Sequence, residues 1–156
     1  MNKVSRHFWP AVVMLLAGFA SAEAAELTTQ DYVEIQQLYA RYNHAIDSGD
    51  AEGWAATFTP DGVFNKRFTG RDGLLEFMKQ WLEKMNGANR RHWNSNLLIT
   101  PSDDGASGKV MLMLLEVGAT PKIVMTGQYT DVLVKTANGW RFKSREVKND
   151  APPAKP

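Results

Sequence analysis

Apolar residues recur every three or four positions between residues 28 and 49, a spacing that predicts a helix with one buried face. Thr28 or Thr29 can cap its start, and Asp31 suits the positive end of the helix dipole. Gly49 can take the left-handed conformation that ends a helix. The apolar face consists of Ile35, Leu38, Tyr39, Tyr42, Ala45 and Ile46.

Two more helices and a short strand are predicted next. Asp50 can cap a short helix that reaches Phe58, and residues 60–62 form a turn before a strand at residues 63–64. A third helix is predicted between residues 70 and 87. Its apolar residues are Leu74, Phe77, Met78, Trp81, Leu82 and Met85.

From residue 91 onward the apolar period changes from helical to two, which is typical of strands. Four strands are predicted, over residues 91–100, 106–117, 123–136 and 140–148. Because helices come first and consecutive strands follow, we expect an α+β fold with an antiparallel meander. A twisted sheet of this length curls, so helices that cover its concave face leave a pocket between the two layers.

The first 25 residues have the features of a signal peptide. A positive start with Lys3 and Arg6 precedes an apolar run over residues 8–20, and small residues at 20–22 or 22–24 fit a cleavage site. Cleavage would give a periplasmic or secreted protein without a stable membrane anchor, whereas an uncleaved segment would act as one. The domain is then expected over residues 26–149, followed by a disordered proline-rich tail over residues 150–156.

Composition excludes several classes of protein. The chain has 156 residues, the length of one domain, and a net charge of +1, which gives no reason to expect a nucleic acid partner. It contains no cysteine, so disulfides, thiolate catalysis and cysteine-bound metals are excluded. No glycine-rich phosphate loop follows a strand, and no histidine or carboxylate cluster indicates a metal, so we expect neither cofactor nor metal.

Several short motifs together resemble the SnoaL-like family of the nuclear transport factor 2-like superfamily. Members include scytalone dehydratase, ketosteroid isomerase, polyketide cyclases and pocket proteins of no known activity. The resemblance implies a cone of three N-terminal helices packed on a curved antiparallel sheet, and a homodimer formed through the outer face of that sheet. The motifs are EIQQLYARY at 34–42, AIDSGD at 45–50, FTPDGVF at 58–64, GRDGL at 70–74, Arg91-His92 with Asn96, GQYTD at 127–131, GWRF at 139–142, and Arg145.

The resemblance also implies candidate catalytic residues. Asp47 is similar to the pocket aspartate of the scytalone dehydratase-like members, and His92 is similar to their first-strand histidine; such a pair performs acid–base elimination of water. Two features depart from that pattern. Ile46 stands where those enzymes have a tyrosine, and their second strand histidine has no counterpart here. The strand carboxylate of ketosteroid isomerase, expected near Asn65, is also missing.

The residue pattern around these positions allows two readings. His92 shares a strand face with Asn94 and Asn96, so this polar face either lines the pocket or simply faces water. Inside a pocket, a neutral imidazole can take and return a proton near neutral pH. Asp47 either orients His92, acts as the base itself, or is an ordinary residue of a helix-ending turn.

Other polar side chains are candidates for substrate binding. Tyr42, Asn96 and Tyr129 offer hydroxyl and amide groups, although Tyr42 is better explained as a packed core residue. His44 is expected near the solvent edge of the first helix. The sequence leaves three possibilities open for Arg145: a surface charge, an ion-pair partner of Asp47, or a partner of groups next to Glu146.

These observations lead to three hypotheses. The first is an enzyme that uses His92 and Asp47 to dehydrate, isomerise or cyclise a small apolar or cyclic carbonyl or hydroxyl compound without a cofactor. The second is a periplasmic binding protein that holds a small apolar ligand without changing it. The third is a structural dimer whose pocket is filled by its own side chains.

Overall fold

The computed structural model describes residues 26–86 and 89–150. The predicted signal peptide and residues 151–156 of the predicted tail lie outside this part of the chain. The helices are α1 (Thr29–Ser48), α2 (Ala51–Ala55) and α3 (Gly70–Met85). The strands are β1 (Phe58–Phe64), β2 (Phe68–Thr69), β3 (Arg90–Ser102), β4 (Gly105–Glu116), β5 (Lys122–Thr136) and β6 (Gly139–Asn149).

The strands form one curved sheet in the order β2-β1-β6-β5-β4-β3. Strands β3 to β6 form the predicted antiparallel meander, and β1 adds to β6 in parallel. The predicted α+β fold, with three N-terminal helices and a curved antiparallel sheet, is confirmed. Strand β3 is one edge of the sheet, and this places the backbone of His92 beside α1.

The core fills the space between the helices and the sheet. Leu38 and Tyr42 of α1, Trp54 of α2, and Leu133 and Phe142 of the sheet are all inaccessible to solvent. Burial of one such side chain stabilises the fold by about 1.5–3 kcal/mol. The apolar period of α1 therefore indicated the correct buried face.

The start of α1 is attached to the hairpin of β5 and β6. Thr28 and Asp31 form a capping box, because each side chain accepts a hydrogen bond from the backbone of the other. Asp31 also accepts hydrogen bonds from Lys135 Nζ (2.7 Å) and Trp140 Nε1 (2.9 Å). These bonds, that of Lys135 above all, hold the pKa of Asp31 well below its ordinary value.

The structure differs from the sequence prediction around Phe58. This residue begins β1 rather than ending α2, and residues 60–62 lie inside β1 as an irregular stretch where its register with β6 shifts. The pairing with β6 is a long-range interaction, so local spacing did not indicate it. The two-residue strand β2 was not predicted. Within the described residues, no helix is both long enough and apolar enough to cross a membrane.

Candidate active site

Asp47 and His92 come together where the end of α1 meets the edge strand β3. The Nδ1 atom of His92 lies 2.6 Å from Asp47 Oδ1, and the His92 backbone N–H donates to Asp47 Oδ2 over 3.0 Å. Only 3% of the His92 side chain and 13% of the Asp47 side chain are exposed. The helix therefore holds the histidine through both its backbone and its ring.

This contact determines which ring nitrogen can act on a substrate. A carboxylate only accepts hydrogen bonds, so Nδ1 of His92 carries the hydrogen of the neutral imidazole and Nε2 keeps its lone pair. Asn43 adds support, because its Nδ2 donates to the His92 carbonyl oxygen over 3.3 Å. The geometry leaves Nε2 as the proton acceptor.

His92 lines an inner cavity of about 310 Å³ between α1, α3 and the sheet. Its ring packs against Trp81 of α3, with 5.7 Å between the ring centroids. Most of the wall is aromatic or aliphatic, which suits a small apolar ligand. The lining consists of Tyr42, Ile46, Phe64, Asn65, Arg67, Phe68, Phe77, Gln80, Trp81, Lys84, His92, Met125, Tyr129, Val147 and Asn149.

Asp47 stands behind His92 and does not line this inner cavity. It borders instead a larger, open groove of about 860 Å³ between α1 and β3, together with His44. His92 also lines this groove, so both side chains border one open space, whereas only His92 lines the inner cavity. Asp47, in the last turn of α1, contacts the Nδ1 side of the His92 ring. From this position it can orient the ring. His44 is exposed, as predicted.

Asn96 lies outside the site. It has a φ of 54° at a point where the pairing of β3 with β4 shifts between Ser95 and Leu98. This bulge reverses the faces of the strand, so Asn96 is exposed and does not line the inner cavity. The prediction that Asn96 shares the face of His92 and positions substrate is therefore wrong.

Tyr42 and Tyr129 both line the inner cavity and are almost inaccessible to solvent. Within the described residues the Tyr42 hydroxyl has no hydrogen-bond partner. Burial raises the pKa of Tyr42 and raises that of Tyr129 further. Both phenols therefore stay protonated at neutral pH and can donate hydrogen bonds to a ligand.

Arg145 occupies a place that the sequence did not indicate. It is fully buried, its Nε lies 3.4 Å from Asp131 Oδ1, and Tyr39 donates to the other oxygen of Asp131. It is therefore neither a surface charge nor a partner of Asp47. The guanidinium carbon lies 3.8 Å from the ring centroid of Tyr129 and 4.1 Å from that of Tyr42.

Aromatic rings, rather than hydrogen-bond acceptors, surround the guanidinium group of Arg145. Within the described part of the chain none of its three guanidinium nitrogens makes a hydrogen bond. A cation is attracted to aromatic faces, and this attraction is larger where water is excluded. Arg145 thus stabilises the positions of Tyr42 and Tyr129 through cation–π contacts with their rings. Burial raises the pKa of its partner Asp131 to about 6, against the attraction of Arg145.

Sequence reasoning also missed the rim of the cavity. Arg67, in the turn between β1 and β2, and Lys84, near the end of α3, are exposed and line its mouth. Trp81 was predicted only as a residue of the apolar face of α3. Over residues 26–86 and 89–150, no group of three His, Asp or Glu residues is placed to hold a metal ion.

A family model described as SnoaL-like domain matches residues 27–146. The uncharacterized protein Rv2910c of Mycobacterium tuberculosis and an uncharacterized protein of Mycobacterium bovis are both 32% identical over 121 residues. In each case the match covers 74% of this chain and 82% of the relative.

Several solved structures have a fold similar to that of this chain. ActVI-ORFA from Streptomyces coelicolor has a TM-score of 0.73 and 28% identity, covering 80% of this chain and 98% of that one. A protein from Catenulispora acidiphila in complex with S-DNPA has a TM-score of 0.71 and 31% identity, covering 79% and 96%. Rv3472 of M. tuberculosis, of unknown function, has a TM-score of 0.71 and 32% identity, covering 80% and 75%.

Proposed function

Because the chain belongs to the SnoaL-like family, which includes polyketide cyclases and dehydratases, we propose that it is an acid–base enzyme that needs no cofactor. Its substrate is a small apolar or cyclic compound with a carbonyl or hydroxyl group. The observation that carries the proposal is the 2.6 Å contact between Asp47 and His92 at the wall of an aromatic cavity. The reaction class is dehydration, isomerisation or cyclisation, each of which begins with proton transfer.

In this proposal His92 is the catalytic residue. Its Nε2 takes a proton from the carbon next to the substrate carbonyl and returns it to a carbon or to a leaving hydroxyl group. The hydroxyls of Tyr42 and Tyr129 donate hydrogen bonds to the carbonyl oxygen, which becomes more negative as the proton leaves.

Asp47 is a positioning residue. Its Oδ1 accepts a hydrogen bond from the His92 ring, and both of its oxygens accept from the His92 backbone N–H. An asparagine at this position would carry no charge, and its Nδ2 donor would stand where Oδ2 now accepts from the His92 backbone N–H over 3.0 Å. The imidazolium that forms during the reaction is also stabilised by the negative charge of Asp47.

A second candidate is a binding protein that holds its ligand unchanged. One observation favours it: among the described residues that line the cavity, His92 is the only histidine and no carboxylate accompanies it. Elimination reactions commonly use both an acid and a base, and Asp47 does not face the cavity. The tyrosines would then serve only as hydrogen-bond donors to a bound carbonyl compound.

Proton abstraction can be tested without the natural substrate. The probe is 2-tetralone, a bicyclic ketone, in deuterated buffer, and proton NMR follows the loss of its α-proton signals. We expect the protein to accelerate exchange, His92→Ala to reduce the rate about a hundredfold or more, and Asp47→Asn to reduce it by a smaller factor. His44→Ala is the matched control, because this exposed histidine lines only the outer groove.

The outcomes separate the two candidates. If 2-tetralone binds but exchanges no faster with the wild-type protein than with His92→Ala, the enzyme proposal is refuted and the binding protein is supported. If His44→Ala loses as much activity as His92→Ala, the assignment of the base is wrong.

We also propose that the mature chain acts as a homodimer after export. Support for the dimer comes from apolar side chains on the outer face of β3, β4 and β5, which are unusual on the surface of a monomer. Export rests on the signal-peptide features of residues 1–25. The exposed residues are Trp93 (63%), Leu98 (61%), Ile123 (56%), Met111 (46%), Val132 (43%) and Val124 (40%).

A further inference from the structure

Charge is distributed unevenly along the wall of the inner cavity. Its floor contains the buried hydroxyls of Tyr42 and Tyr129, whereas its mouth contains the exposed cations Arg67 and Lys84. Among the described residues that line the cavity there is no aspartate or glutamate. Within the described residues neither Arg67 nor Lys84 forms a salt bridge, while Lys66, next to Arg67, pairs with Glu146. The mouth of the cavity is therefore positively charged.

A continuous row of aromatic rings joins this mouth to His92. The Arg67 guanidinium lies 4.8 Å from the ring centroid of Phe68, and Phe68 lies 5.3 Å from Phe77. The ring of Phe77 stacks with that of Trp81 at 6.4 Å, and Trp81 lies 5.7 Å from His92. A flat aromatic ligand can pack along this row with one end at the cations and the other at the histidine.

We propose that the ligand of this cavity is a carboxylate-bearing aromatic compound of two or three rings. Its carboxylate lies at the mouth between Arg67 and Lys84, its rings lie against Phe77 and Trp81, and its reacting carbonyl or hydroxyl group lies beside His92. A volume of about 310 Å³ fits a compound of that size. The inference rests on the proposed function, because it names the substrate class of the same cavity.

Asn65 adds a neutral donor at the same place. It lies in the turn after β1 with a φ of 51°, and its Oδ1 accepts a hydrogen bond from the Val147 backbone N–H over 2.8 Å. The carbonyl oxygen of the amide is thus already used, and the Nδ2 donor remains for an acceptor on the ligand. The two cations and the amide together offer enough hydrogen-bond donors for the two acceptor oxygens of a carboxylate.

The test compares two probes of nearly equal shape by isothermal titration calorimetry. 2-Naphthoate carries the carboxylate, and 2-acetylnaphthalene is its neutral counterpart. We expect the mature wild-type protein to bind the carboxylate about tenfold more tightly, as two partly solvated ion pairs allow. The double variant R67Q/K84Q should bind both probes equally, with its affinity for the neutral probe unchanged.

The control is the double variant K79Q/K109Q, which removes two exposed lysines that do not line the cavity. It should keep the preference for the carboxylate. If the control loses the preference to the same extent, the effect arises from net charge and the inference is overturned. Equal affinity of the wild-type protein for both probes also overturns it, while leaving the proposed function intact. Failure to bind either probe would overturn the ligand-binding role of the cavity itself.

Discussion

Replacing Asp131 with asparagine removes a buried carboxylate while keeping its shape and leaving Arg145 in place. Burial raises the pKa of Asp131 from an ordinary value of 3.8 to about 6, because loss of solvation outweighs the attraction of Arg145 and the hydrogen bond from Tyr39. A pKa difference of one corresponds to about 1.4 kcal/mol, so this change corresponds to about 3 kcal/mol of folding free energy.

The sign follows from proton binding. The folded protein holds the Asp131 proton more tightly than the unfolded chain does, so protonation contributes stability that is fully present below pH ~4. That contribution is lost as the pH rises through about 6. Asparagine does not titrate. The free energy of unfolding of the wild-type protein, minus that of Asp131→Asn, should therefore fall by about 3 kcal/mol between pH ~4 and pH ~7.5.

Urea unfolding followed by far-UV circular dichroism measures this difference at each pH. Any constant cost of placing an amide beside Arg145 cancels when two pH values are compared. Asp103→Asn, in the exposed turn between β3 and β4, is the control for loss of one charge. Parallel pH curves for the wild-type protein and Asp131→Asn would refute the raised pKa. A difference that increases with pH would show that the attraction of Arg145 exceeds the cost of burial.

Three further predictions concern the core, the outer face and export. Leu38→Ala should lower the free energy of unfolding by about 3 kcal/mol, because Leu38 is fully buried; a loss below about 1 kcal/mol would contradict the described core. Trp93→Ser should convert the proposed dimer into a monomer in light scattering without changing the circular dichroism spectrum; an unchanged mass would place the interface elsewhere. In a bacterial host, N-terminal sequencing of the periplasmic fraction should begin at Glu23 or Ala25; retention of the full-length chain in the membrane would support an uncleaved anchor.

The sequence contained enough information for the helices and the long strands. The apolar spacing of α1 and the alternation along β4 and β5 agree with the burial observed in the structure. Phe58 was assigned wrongly because its conformation depends on pairing with β6, which is more than eighty residues away. Strand β2 has two residues, too few to produce a periodic pattern.

The site was partly predictable. The proximity of Asp47 and His92 was indicated by resemblance to a family rather than by spacing, and the structure brings them together. The exposure of Asn96 was not predictable, because a single bulge inverts the alternation of faces and depends on the partner strand. Arg145 could not be placed either, since its burial is possible only after Tyr39 and Tyr42 of α1 and Tyr129 of β5 surround it.

The attachment of α1 to β3 limits how copies of this chain can associate. An edge strand exposes unpaired backbone groups onto which a strand from another molecule can add. At His92 those groups are already occupied, because Asp47 accepts from the N–H and Asn43 donates to the carbonyl oxygen. Two helix side chains thus take the place of a seventh strand at this position. Two molecules therefore cannot pair strand to strand at this edge to form one continuous sheet. They can still associate through the outer faces of their sheets.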